Sequence, residues 1–168
     1  MTSPAVDARR VSVGIGQLAV SKDPDEVLVA YGLGSCIGVS AYDPHGRICG
    51  LVHVLLPDSD GKSPDGREPA RFADTGIDML IKRLVDLGAI PRRLVVKVVG
   101  GAAVLGPANA EKFKIGERNA EAIKERLKRH GITPAATDIG GVRGRTLEVF
   151  VSTGKTFVRT AASPANEL

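Results

Sequence analysis

At 168 residues, with 43% hydrophobic and 25% charged side chains, the chain has the size and composition of one globular domain, neither a low-complexity chain nor an array of domains. Aromatic residues make up 4% and Trp is absent, so the core must be aliphatic. The net charge of +4 comes from Lys and Arg scattered among acids, which points to an ordinary basic surface and away from a nucleic-acid partner.

Residues 1–10, "MTSPAVDARR", read as a flexible polar lead-in without the apolar core of a signal peptide. "VSVGIGQLAV" alternates Val11, Val13 and Ile15, the period of a half-buried strand. "EVLVAY" is a second strand, broken by "GLGS"; "CIGVSAY" is a third, ended by the turn "DPHG". "RICGLVHVLL" reads as a buried strand stopped by Pro57, and residues 58–70 as a polar loop. From Phe72 the period changes: Ile77, Leu80, Ile81, Leu84 and Leu87 line one face of a helix that Gly88 stops. "LVVKVVGG" is a strand, and "AAVLGPANAEKFKIG" is read as loop. "ERNAEAIKERLKRHG" is a second helix, with strands in "TPAATDIGG", "RTLEVFVST" and "TFVRT". Residues 161–168 are expected to be a flexible tail. No apolar run approaches the ~20 residues of a membrane span, so a cytoplasmic protein without membrane insertion is expected. The order of elements predicts one α/β (α+β) domain over residues 11–160.

The two cysteines make no disulfide framework and no paired-cysteine zinc pattern. Cys36 follows Gly32, Gly34 and Ser35, glycines that let the backbone turn sharply beside a ligand. His53 lies 17 residues downstream, mid-strand, where an aliphatic residue would be expected. Pairing the flanking strands through "DPHG" would bring thiol and imidazole together, the minimum for a thiol nucleophile with a base. Each also has a bland reading, Cys36 as a small buried hydrophobe and His53 as a satisfied core residue. Cys49, within an apolar strand, is expected to be core; His45 in a turn and His130 at a helix end carry no sign of catalysis. The glycines fit neither the dinucleotide fingerprint, nor a Walker loop, nor a Gly-x-Ser-x-Gly elbow. "VGGAAVLG" reads as a tight turn.

"GLGSC" followed by "GLVHVLLP" resembles the start of the chemoreceptor glutamine deamidase family, CheD. "KVVGGAAVL", "IGERNAEAIKERL" and "DIGGVRGRTLEVFVSTGKTFV" resemble later segments of that family in the same order, from residue 11 to about 159. The resemblance implies a cysteine-hydrolase sandwich of mixed, largely antiparallel sheet layers flanked by two main helices, similar to toxin deamidases. It implies hydrolysis of glutamine side-chain amides on cytoplasmic helices of methyl-accepting chemoreceptors, with Cys36 as nucleophile, His53 as base and no cofactor or metal. Backbone N–H groups of Ser35 and Cys36 would hold the oxyanion. It also implies a CheC-type phosphatase as partner; the alternative is a non-catalytic adaptor that binds receptors or such a phosphatase. The family has a threonine six residues before the cysteine to orient the histidine, and here that position is Ala30. The toxin deamidases of the cytotoxic necrotising factor type use a main-chain carbonyl instead. Ala30 through its carbonyl, or another group nearby, is therefore expected to orient His53.

Overall fold

Most of these apolar runs become strands, but they divide between two sheets in a way their spacing does not reveal. The computed structural model describes residues 7–63, 66–105 and 110–168. Its strands are β1 (Arg9–Ser12), β2 (Leu18–Ser21), β3 (Glu26–Leu33), β4 (Ile37–Asp43), β5 (Ile48–Val54), β6 (Val95–Gly100), β7 (Ala136–Ile139), β8 (Arg145–Phe150), β9 (Thr156–Thr160) and β10 (Ser163–Glu167). The helices are α1 (Ala73–Asp86) and α2 (Ala110–Arg129). One sheet has the order β1-β3-β8-β9-β10 and the other β2-β5-β4-β6-β7. Among the strand pairs of the described residues, β1–β3 and β6–β7 are parallel and the others antiparallel. This is the mixed, largely antiparallel α+β sandwich expected.

The second sheet is the middle layer. On one side, Ile37, Val39, Val52 and Val54 meet Ile77, Leu80 and Leu84 of α1 and Ile123 and Leu127 of α2. Each buried aliphatic chain contributes roughly 1.5–3 kcal/mol relative to exposure. Gly50 lets α1 approach, because a Cβ there would stand 2.7 Å from Leu80 Cδ1. On the other side, Cys36, Cys49, Leu51 and Val99 meet Leu28, Leu33, Leu147 and Val149 of the first sheet. Both helices therefore lie on one side of the sandwich.

The turn between β4 and β5 is closed by Asp43, whose carboxylate accepts from the N–H groups of His45, Gly46 and Ile90 and from Arg93. Burial pushes this carboxyl up, but the four donors outweigh it and hold it at about 2.

Several expectations are corrected. "VSVGIGQLAV" is not one strand: β1 and β2 belong to different sheets, and the chain crosses between them at Gly14–Gln17. Gly16 takes a positive φ of 74° and packs so closely on Glu68 that a Cβ would clash. "GLGS" does not end the second strand, which runs to Leu33 through an irregularity between Ala30 and Leu33. α2 begins at Ala110, within the expected loop; residues 106–109 of that loop lie outside the described residues.

The expected tail is also ordered. Ser163–Glu167 pairs with β9, the Leu168 N–H donates to Thr156 O at 2.9 Å, and Leu168 packs against the inter-sheet core. Polar residues suit this edge strand because its outer side faces water. At the other end, Arg9 and Arg10 already belong to β1, whereas residues 1–6 of the expected lead-in lie outside the described residues.

Candidate active site

Alternation decides which side chains meet between the sheets. In the β4–β5 ladder Ile37 opposes Val54 and Gly38 opposes His53. Continuing the register by one residue sets Cys36 opposite Leu55, so thiol and imidazole share the inter-sheet face as diagonal neighbours. Such Cβ atoms stand about 7–8 Å apart or less. Gly38 has no side chain to intrude, and a Cβ there would meet Leu147 Cδ2 at 2.9 Å.

His53 is 2% exposed, and its Nδ1 lies 3.0 Å from the carbonyl oxygen of Val13. A carbonyl only accepts, so Nδ1 carries the proton and Nε2 is the bare nitrogen of the neutral ring. Nε2 is buried without a hydrogen-bond partner among the described residues. The carbonyl beside the imidazole is thus that of Val13, the other nearby group the expectation allowed, and not that of Ala30. Ala30 is fully buried in β3, where it pairs with Leu147 and packs into the inter-sheet core. Val13 directly follows β1, just before the crossing to β2, and its carbonyl meets the His53 ring of β5. The Gly16 N–H donates to His53 O and the His53 N–H to Gln17 O, which locks the two segments together.

Cys36 is 6% exposed beneath a half-exposed Gly34 and Ser35. Burial pushes its thiol up; its own backbone N–H, set against the sulfur, pulls the other way. Burial lowers His53, opposed by the Val13 carbonyl. The resting pair is therefore a neutral thiol and a neutral imidazole, with Nε2 free to take a proton during attack. Cys49 is wholly buried on the same face, opposite Tyr42, and burial pushes its thiol up strongly.

The later motifs converge on this elbow. Gly100, at φ 121°, faces the Cys36 carbonyl so closely that any Cβ would run into it. The N–H of Gly101 donates to Cys36 O at 2.9 Å and that of Ala102 to Gly34 O at 2.7 Å. In α2, a Cβ on Gly116 would stand 2.5 Å from Gly101 O, so the helix backbone rests on the double glycine. Asn119 Nδ2 donates to Ser35 O and to Leu55 O, each at 2.9 Å. Arg145, nearly buried, holds Gly140 O at 2.8 Å and Asp138 at 3.1 Å, while Gly141 O accepts from the Ala103 N–H. None of Val13, Asn119 or Arg145 stands out in the sequence. The only signal was their place within or beside glycine-containing motifs.

Two clefts run along α2. One, of about 420 Å³, lies between Gly101, Gly140 and the Lys114–Lys124 stretch; the other lies between Asp58 and Lys128. Neither is lined by Cys36 or His53. His45 and His130 stand apart from the pair: His45 is in the turn after β4, and His130 Nε2 bonds Asp78 Oδ1 at 2.7 Å.

A family model described as CheD chemotactic sensory transduction matches residues 55–160, the part of the chain that follows Cys36 and His53. A relative from Symbiobacterium thermophilum is 45% identical over 163 residues, covering 96% of this chain and 99% of its own. One from Thermococcus kodakarensis is 44% identical over 153 residues, covering 91% and 94%. Both carry the name "Probable chemoreceptor glutamine deamidase CheD". Among solved structures, the hypothetical protein YfiH of Bacillus licheniformis aligns with a TM-score of 0.43 at 16% identity, over 74% of this chain and 49% of that one. No helix among the described residues is long and apolar enough to cross a membrane.

Proposed function

This chain belongs to the CheD family, and from that premise we propose that it is a cytoplasmic protein-glutamine glutaminase acting on the helices of methyl-accepting chemoreceptors. The observation that carries the reading is the shared inter-sheet face of Cys36 and His53, with Nδ1 committed to Val13 and Nε2 left bare. Nε2 takes the thiol proton as Cys36 Sγ attacks the amide carbon of a glutamine side chain. The N–H groups of Ser35 and Cys36 hold the oxyanion, at ~3 kcal/mol per donor. Protonated Nε2 then gives its proton to the departing ammonia and leaves a thioester. Water, deprotonated by the same nitrogen, attacks the thioester; glutamate leaves and the thiol is restored. A CheC-type phosphatase is the expected protein partner.

Incubating a receptor cytoplasmic fragment with the protein, and following ammonia release and amide-to-acid mass change, tests the reading. The wild type converts specific glutamines, and Cys36→Ala converts none while still binding. If the wild type binds but releases no ammonia, and Cys36→Ala keeps the whole biological effect, the protein is an adaptor.

A further inference from the structure

We propose, resting on the assignment of Cys36 and His53 as nucleophile and base, that Asn119 is a positioning residue that aims the oxyanion donor and sets the spacing of the pair. The β4–β5 ladder ends at Ile37 and Val54. Beyond it the Leu55 N–H turns away to Arg71 O at 2.9 Å, and Cys36 O is taken by Gly101. The strands thus lose their mutual hydrogen bonds beside the two reacting residues. One nitrogen of Asn119 bridges the gap by donating to Ser35 O and Leu55 O. Because both neighbours are acceptors, the amide can face them only with its nitrogen.

The Ser35 carbonyl and the Cys36 N–H belong to one planar trans peptide, so they point in opposite directions. Asn119 draws the carbonyl toward α2 and thereby aims the Cys36 N–H away from α2. Its second bond fixes Leu55, two residues past His53. Asn119 is wholly buried, and its Oδ1 has no partner among the described residues. An unpaired buried oxygen is costly, so an amide kept only for packing would be a poor choice here. Gly116 against Gly101 and Ile123 in the core hold this turn of α2 in place.

The test uses the full chain as wild type, His53→Ala, Asn119→Ala and the near-isosteric Asn119→Leu, which removes the donor and keeps most of the shape. Folded fraction, the rate of Cys36 alkylation by iodoacetamide at neutral pH, and kcat and KM on a receptor fragment are measured for each. Both Asn119 variants should lose kcat by about 10²-fold with KM little changed, as expected when reacting groups are displaced rather than removed. Their Cys36 alkylation should slow toward that of His53→Ala. Folded Asn119 variants that keep wild-type kcat and alkylation overturn the proposal, as does activity lost only in proportion to folded protein. A wild type that alkylates no faster than His53→Ala would instead overturn the catalytic pair itself.

Discussion

The two faces of the middle sheet are built from the same strands and do different work. Along β5, Val52 and Val54 look toward the helices and join an aliphatic cluster. Cys49, Leu51 and His53, offset by one residue, look toward the other sheet. The helix side is lined there by an aliphatic cluster that holds the layers together, and the buried Asn119 of α2 reaches Ser35 and Leu55 just beyond the ladder. The inter-sheet side is equally buried, yet it accommodates a thiol and an imidazole whose Nε2 is unpaired among the described residues, at the end where the β4–β5 ladder stops. Stability and chemistry are thus divided by strand parity.

This contrast can be broken at several points. The largest effect is expected from His53→Ala, which should lower the deamidation rate by about 10²–10⁴-fold, the usual worth of a positioned general base, while the melting transition moves little by comparison. Next, Leu80→Ala on the helix side should cost about 2–5 kcal/mol in denaturant unfolding, with activity per folded molecule unchanged. A Leu80 variant that kept its stability but lost kcat would erase the distinction between the faces.

A pH profile sharpens it further. Burial holds His53 below the ordinary histidine value of 6.5, so the neutral base persists as pH falls through 6.5. The acid limb of kcat/KM should therefore lie below pH 6.5, and a limb at or above that value would mean that the imidazole is solvated. The smallest effect belongs to Cys49→Ala. That thiol shares the reactive face but sits opposite Tyr42 at the turn end of the ladder, away from Cys36 and His53, so its loss should cost only about 1 kcal/mol and leave the rate intact. A large rate effect there would move the nucleophile.

Much of this division was legible in the chain. Alternation and the change of period at Phe72 located most strands and the first helix, because burial on one face imposes a period whatever the partner is. Gly32, Gly34 and the misplaced polarity of His53 marked the site for the same local reason. The start of α2 was not legible: Gly116 weakens a helix signal, and its reason for being glycine is Gly101, distant in sequence. The edge strand β10 was equally hidden, since a solvated edge strand and a frayed tail have similar composition.

The amino-acid sequence by itself carried the family motifs and the class of fold and singled out Cys36 and His53 as the candidate pair, since these rest on residue identity and short-range periodicity. The tertiary structure alone decided that the carbonyl beside the imidazole is that of Val13 and not of Ala30, that Asn119 bridges the strands beside the elbow, and that burial pushes the thiol up and the imidazole down. The physical reason is that a backbone carbonyl is present at every residue. Which one meets His53 depends on where the chain crosses between sheets, and that crossing is set by packing across the whole sandwich.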